Sequence, residues 1–292
     1  MVLVTRPTDY QLLLARHGTR GQAEFFLNNR GQSIEEVEAF DVRFHEALLT
    51  VQRSVPASWR STSVGRHDLD RFVFEPEDVV IALGQDGLVA NLAKYLDGQA
   101  VIGLNPDPGR FDGVLVRYAP QDTAELLAMS QASTARTQAR TMVQATLNDG
   151  QVLWALNEIF IGHASHQSAR YRIEYQGQAE HQSSSGMIIA SGTGATGWAR
   201  SLHRTTQSQL PLPGPEDRSL AFFVREPWPS IATGTAVVEG HVDASARLTV
   251  MSEMDERGVI FGDGIESDRL LFGYGERVDV QPAPKTLNLL AV

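Results

Sequence analysis

An α/β domain with a parallel sheet, followed by a mostly-β domain, is the fold class that this sequence predicts, and three observations predict it. The first is the run Asp78-Val79-Val80-Ile81-Ala82-Leu83, whose unbroken apolar character suits a strand covered on both faces, as in a parallel sheet. The second is the segment directly after that run: a glycine-rich turn at 84–87, a short helix from Leu88 to Leu96, a stop at Asp97-Gly98 and a returning strand, Ala100–Leu104. Together residues 78–104 make a compact βαβ unit. The third is a change of pattern from about residue 135, after which short strands dominate. These are Tyr171–Tyr175, Met187–Ala190, Leu220–Val224, Thr235–Glu239, Arg247–Met251, Val259–Phe261 and Arg277–Gln281.

Earlier in the chain, Val2–Thr5 reads as a strand. Ser33-Ile34-Glu35-Glu36 has the spacing of a capping box, and Val37, Phe40, Phe44, Leu48 and Val51 then recur at helical spacing, predicting an amphipathic helix with one buried stripe. A right-handed crossover within residues 78–104 puts Asp86 at the carboxyl end of a strand, the edge where open α/β sheets bind ligands. The Pro-rich segment Leu210–Pro215 reads as an exposed loop. The predicted division is 1–125 for the α/β domain and 126–275 for the β-rich domain, with 276–292 as a C-terminal segment.

With 292 residues, 42% hydrophobic and 21% charged, the chain is long enough to bury two cores of ordinary size. No apolar run reaches the length of a membrane span, and the sequence starts with neither a signal nor a transit pattern, so the expectation is a soluble cytoplasmic protein without a membrane partner. Cysteine is absent, which excludes disulfides, thiol nucleophiles and Cys-ligated metals. The net charge of −10 argues against a nucleic-acid partner. Lysine occurs only at Lys94 and Lys285, neither within a GxxxxGK[ST] run, so a P-loop is excluded, and no GxGxxG is present.

Three constellations remain that carry chemistry. In Gly84-Gln85-Asp86-Gly87, small residues let backbone N–H groups approach phosphate oxygens, and Asp86 adds a carboxylate able to accept a proton from an attacking hydroxyl. The same four residues also make a plain strand-to-helix turn capped by an aspartate. In Leu156-Asn157-Glu158-Ile159-Phe160-Ile161, an amide and a carboxylate interrupt what otherwise reads as a buried strand, and need partners from either a ligand or a structural network. From Met187 to Trp198, a strand runs through Ser191-Gly192-Thr193-Gly194-Ala195-Thr196-Gly197 into a helix start. A hydroxyl-rich glycine loop in that position points to binding more than to a linker.

The order of these motifs, closed by Asp263-Gly264 after a strand, resembles the NAD kinase family. Ala155–Gly162, Ser184-Ser185-Gly186, Gly192-Thr193-Gly194, Phe223-Val224-Arg225-Glu226-Pro227 and Gly103-Leu104-Asn105-Pro106-Asp107-Pro108 are most similar to the mitochondrial-type members, and the matches run from about residue 78 to 265. The resemblance implies the fold of NAD kinases and diacylglycerol kinases, with the nucleotide between two domains and segment 276–292, including a strand at Thr286–Leu290, returning to the first. It implies transfer of the ATP γ-phosphoryl group to the 2′-hydroxyl of the adenosine ribose of NAD or NADH, with Mg²⁺ arriving on ATP and no protein metal site. Asp86 matches the family's essential aspartate, and Gly84 and Gly87 match glycines of its phosphate turn. Asn157 and Glu158 match the pair contacting the acceptor nucleoside, and Thr193, Gly194, Thr196, Ser201 and Asp263 fall in its dinucleotide-binding motifs. A homodimer or homotetramer is implied as well.

Departures from the family pattern are Gln85 for a glycine, Leu88 for a threonine, and Ala195 and Trp198 for the usual Ser and Tyr. If position 85 requires φ > 0 or close approach of phosphate, Gln85 hinders ATP. A catalytically weak or inactive dinucleotide-binding protein, and a related lipid or nucleoside kinase, are therefore the competing readings. Arg110, Arg170, Arg172 and Arg225 are phosphate-binding candidates by proximity to the motifs. His163 and His166 are spaced i,i+3 but have no third ligand nearby in sequence and receive no role.

Overall fold

The structure, a computed structural model, describes residues 1–132 and 136–291. Residue 135, where the pattern was expected to change, lies outside the described residues. Chain contacts divide the molecule into two compact units, Met1–Thr137 with Asn288–Val292, and Gln138–Leu287. The sequence placed the corresponding boundaries at 125/126 and 275/276.

The first unit is built on parallel strands β1 (Val2–Thr5), β2 (Thr62–Gly65), β3 (Val79–Leu83) and β4 (Ala100–Leu104), in the order β2-β1-β3-β4. The tail of the last strand, β16 (Arg277–Leu290), lies parallel to β4 through Asn288↔Ala100 and Leu289↔Val101. Helices α1 (Asp9–His17), α2 (Arg20–Asn28), α3 (Ile34–Ser54), α4 (Asp86–Ala93) and α5 (Thr123–Ser130) complete the unit. Leu3, Ile81, Leu83, Ile102 and Leu104 from the sheet bury against Phe44 and Val51 of α3 and Leu126 and Leu127 of α5. Each such side chain contributes roughly 1.5–3 kcal/mol, so the stripe on α3 is what fastens that helix to the sheet.

The second unit is built on antiparallel ladders. One sheet runs β12 (Glu239–Val242), β11 (Leu220–Val224), β10 (Met187–Ala190), β7 (Glu158–His163), β14 (Gly258–Gly262), β15 (Ile265–Leu271). The other joins β16, β13 (Leu248–Ser252), β8 (Ala169–Tyr175) and β9 (Gln178–Ser184), with β5 (Thr137–Leu147) beside β16 and β6 (Val152–Ala155) beside β5. A common core packs Ile159, Ile161, Ile189 and Phe222 with Tyr171, Ile173, Val250 and Val278. By strand alternation Phe160, Ile188 and Phe223 face the other way, and there α6 (Trp198–Thr205) covers them with Trp198, Ala199 and Leu202.

Several local expectations need correction. Ser33 accepts from the Glu36 N–H, but its hydroxyl donates to Glu35, so only half of the capping box forms. The short helix of the βαβ unit begins at Asp86 and ends at Ala93. Thr235–Glu239 is not a strand, because the Ala236 and Val237 N–H groups donate to the Glu180 carboxylate instead of a ladder; the strand starts at Glu239. Arg277–Gln281 and Thr286–Leu290 are parts of one strand, β16. The Pro-rich segment is not simply exposed: Pro213 is buried, Leu210 and Leu212 pack on Ala190 and Phe223, and the Pro215 carbonyl accepts from Thr141.

Candidate functional site

In the first unit, the parallel pairing of β1, β3 and β4 brings their carboxyl ends together, and the Gly84–Gly87 turn leaves from the middle one. Gly84 N–H donates to the Leu104 carbonyl at 3.0 Å, which fixes the start of the turn. Gln85 is extended, with φ −113° and ψ 165°, so a side chain is accommodated without backbone strain. Positive φ is therefore not what this position requires, which removes the conformational half of the concern and leaves the other half, close approach of phosphate, open. Its side chain carbonyl accepts from Arg6 Nη2 at 2.8 Å. Over Gly87 the fold leaves open space, since an added Cβ would meet nothing within 4 Å.

Asp86 is more occupied than its sequence position implies. Oδ1 accepts from the N–H groups of Leu115 and Val116 at 2.8 and 3.1 Å, and Oδ2 from Val114 at 3.0 Å. A carboxylate offers about four lone-pair positions, so one remains for a further donor. The clasped segment comes this close only because Gly103 has no side chain: a Cβ there would lie 2.0 Å from the Leu115 carbonyl oxygen. Asn105 of the Asn-Pro-Asp-Pro stretch is buried and shapes the loop, donating to the Phe111 carbonyl at 2.8 Å and accepting from the Asp107 N–H at 3.0 Å. Beside the turn lies a cavity of about 30 Å³, lined by Arg6, Thr8, Asp9, Gln85, Arg110 and Phe111 with Phe40 behind.

In the second unit, Asn157 falls in the bend between β6 and β7 and Glu158 opens β7, so the pair sits at a strand end and not within a buried strand as the sequence implied. Asp263 and Gly264 are the two-residue connection of the β14–β15 hairpin, both at positive φ (55° and 68°), which suits an Asp-Gly turn. From there the Asp263 carboxylate accepts from the N–H groups of Leu156 and Asn157 at 3.0 and 2.7 Å. On the other side, the Asn157 carbonyl accepts from Ser191, and Gly194 packs so closely that a Cβ would lie 2.1 Å from that carbonyl oxygen. The Ser191 hydroxyl accepts from the Thr193 and Gly194 N–H groups and donates to the Leu156 carbonyl. The glycine loop is thus a folded turn and not a flexible one.

Burial pushes the Glu158 carboxyl up to about 7, and the nearby Asp263 carboxylate pushes the same way. By alternation along β7, Glu158 shares its face with Phe160, whose ring contacts Phe261 at 4.9 Å and stacks on Trp198 at 6.0 Å. That apolar surround is the physical source of the desolvation. Neither the Asn157 amide nor the Glu158 carboxylate has a hydrogen-bond partner among the described residues, and both are half-buried.

Asn157, Glu158, Thr193, Gly194 and Asp263 are therefore brought together, whereas Gly84, Asp86 and Gly87 belong to the first unit. Thr196 is exposed, donating to the Thr193 carbonyl at 3.0 Å, and Ser201 is exposed one turn into α6. Of the arginines singled out, Arg110 lines the cavity by the turn, Arg225 lies over Trp198 at 5.1 Å, and Arg172 pairs with Glu174; Arg170 borders a different cavity with His163 and His166. No group of three side chains suited to a metal ion occurs among the described residues. Sequence reasoning missed Arg140, buried on β5, which donates to Thr193 Oγ1 at 3.2 Å, and Arg6 beside Gln85. For Arg140 no local pattern marks it; for Arg6, its place directly after the first strand was a usable signal.

A parallel α/β unit with an Asp-bearing glycine turn, and an antiparallel unit whose Asn-Glu bend is clasped by an Asp-Gly hairpin and a Gly-Thr-Gly loop, define a class of two-unit α/β-plus-β protein. No protein-family model matches the chain. Over 239 residues it is 24% identical to the NAD kinase of Chlorobaculum tepidum, covering 81% of this chain and 79% of that protein. This likeness supports the NAD kinase family as the one to which the chain belongs.

Proposed function

We propose that the protein is an ATP-dependent NAD kinase, nearest the mitochondrial-type members of its family. The observation that carries the reading is the pair Asn157 and Glu158, whose side chains are half-buried and have no hydrogen-bond partner among the described residues, at a clasped bend. Leaving such groups unsatisfied costs a few kcal/mol, which the hydroxyls and ring nitrogens of a nucleoside offset by hydrogen bonding. The second unit recognises the dinucleotide in this way, with Thr193, Gly194, Thr196 and Ser201 contributing along the adjoining loop and helix.

The first unit supplies the phosphoryl chemistry. The 2′-hydroxyl oxygen of the adenosine ribose attacks the γ-phosphorus of Mg-ATP, a new O–P bond forms, the β,γ-bridging bond breaks and ADP leaves with the bond's electron pair. Asp86 takes the hydroxyl proton at its remaining lone-pair position, and the open space over Gly87 admits the phosphates. Positioning and charge neutralisation provide the rest of the acceleration.

A second reading has its own observation. Because Asp86 already serves three backbone N–H groups, the same fold suits a protein that binds the dinucleotide without phosphorylating it. Incubating the purified protein with Mg-ATP and NAD, and following NADP with an NADP-specific dehydrogenase, separates the two. NADP formation establishes the kinase; NAD binding without NADP establishes the second reading.

A further inference from the structure

We infer that Arg6 and Arg110 form a clamp for the oligophosphate chain of the phosphoryl donor, and that Gln85, in the place of a family glycine, is the residue that positions Arg6 in it. The ligand's identity as the donor rests on the kinase reading; the oligophosphate chemistry rests on the residues themselves.

β1 and β3 are parallel neighbours in register, Val4 opposite Ala82, so the segment following β1 and the turn following β3 emerge side by side. Arg6 is the first residue beyond β1, and Pro7 directly after it restricts the backbone there. Its guanidinium donates to Gln85 Oε1 at 2.8 Å, and neither group is exposed. Gln85 spends its side chain on this bond and makes no capping contact to α4. Arg110 lines the same cavity, and its guanidinium lies 5.8 Å from the Phe40 ring and 5.5 Å from the Phe111 ring. Neither arginine has a carboxylate within 4.0 Å among the described residues, although Asp9 also lines the cavity.

Arg6 and Arg110 thus converge, without ion-pair partners, on a small cavity bordered by Gly84 and Gln85. A neutral amide is the partner that holds a guanidinium in place while leaving its charge available to an anion. A glutamate at position 85 would hold Arg6 equally well but cancel that charge, and a glycine would leave it unheld. An arginine fork matches phosphate oxygens pairwise. The departure at Gln85 therefore reads as a changed way of gripping phosphate and not as its loss.

The test titrates inorganic tripolyphosphate, Mg-ATP and adenosine into wild-type protein and the variants Arg6→Gln, Arg110→Gln, Gln85→Glu, Gln85→Gly and Arg6→Lys, by calorimetry, alongside steady-state kinetics and thermal midpoints. The clamp predicts that wild type binds tripolyphosphate and ATP, and that any affinity for adenosine is the same in wild type and in every variant, because it belongs to the Asn157–Glu158 bend and not to the clamp. Arg6→Gln and Arg110→Gln weaken both at least ~10-fold with unchanged midpoints, and Arg6→Lys restores part of the loss. Gln85→Glu is as damaging as Arg6→Gln, and Gln85→Gly lies between it and wild type. In kinetics the loss falls on KM for ATP and not on KM for NAD. Unchanged tripolyphosphate affinity in both arginine variants overturns the clamp even if NADP is formed, and so does a Gln85→Gly variant that binds ATP more tightly than wild type. Tripolyphosphate binding that depends on Arg6 in a protein that makes no NADP upholds the clamp and removes the kinase reading instead.

Discussion

Glu158 departs from the behaviour of a free side chain because it is desolvated beside a second carboxylate, and its pKa rises from the usual 4.5 to about 7. The folded state therefore holds this proton more tightly than the unfolded chain does. Its stabilising contribution is complete below about pH 4.5 and is lost as pH rises through about 7, an effect of roughly 3 kcal/mol. Urea unfolding of Glu158→Gln should match wild type most nearly at pH 4 and show the variant more stable at pH 8. An equal difference at both values would remove the assignment. Where ligand hydroxyls donate to the ionised group, NAD affinity should rise between pH 6 and 8 in wild type and stay flat in the variant. Asp86 invites a parallel experiment. Asp86→Asn keeps one acceptor for the Val114–Val116 amides, while Asp86→Ala orphans three donors. The Leu115 and Val116 donors are shielded from water and cost about 1–3 kcal/mol each when orphaned, so the alanine variant should lose several degrees of thermal midpoint and the asparagine variant, which keeps an acceptor for them, less. Loss of the general base should lower kcat by about 10²-fold or more in both. Wild-type turnover in Asp86→Asn with an intact fold would dismiss Asp86 as the base.

Among elements, the turn from Ser191 to Gly197 owes its shape to what lies beneath it. Gly194 touches the Asn157 carbonyl, so Gly194→Ala must push the turn off the bend that presents Asn157 and Glu158. Forced overpacking of this kind costs roughly 1–3 kcal/mol, and the displacement should weaken NAD binding by about tenfold or more. Ala at Gly87, where the fold leaves open space, should leave the thermal midpoint unchanged. Calorimetric NAD titration with melting curves measures both, and an unaffected Kd in Gly194→Ala would detach the loop from the site. The Asp263-Gly264 hairpin turn works on the opposite side of the same bend. It shows how one short element can serve as chain reversal and as a carboxylate anchor at once.

Across the whole chain, the first unit is discontinuous: its parallel sheet takes its last partner from the end of β16. Leu290 also joins its core, and its carbonyl accepts from the Tyr118 hydroxyl at 3.3 Å. Removing residues 288–292 should thus expose the edge of β4. Amide hydrogen exchange would show lost protection at residues 100–104, while the antiparallel ladders of the second unit, such as β8–β9, keep theirs. Unchanged protection in β4 would mean that the tail pairing contributes nothing to the sheet.

Periodicity and glycine placement in the sequence determined the βαβ unit at 78–104, the buried stripe of α3 and strands such as β10 and β11, because each is encoded by neighbouring residues. Motif order alone marked Asn157, Glu158 and Asp263. Missed were α1 and α2, which fully bury only Ala23 and Leu27 between them, and the true extent of β16, which its prolines at 282 and 284 disguised. Only the tertiary structure decided that Asp263 clasps the Asn157 backbone N–H 106 positions away, that Gly194 rests on the Asn157 backbone carbonyl, and that Gln85 is extended and bonded to Arg6 across 79 positions. Such pairings depend on which strand ends the sheets bring together, and strand order is set by the packing of the whole core and not by any local run of residues.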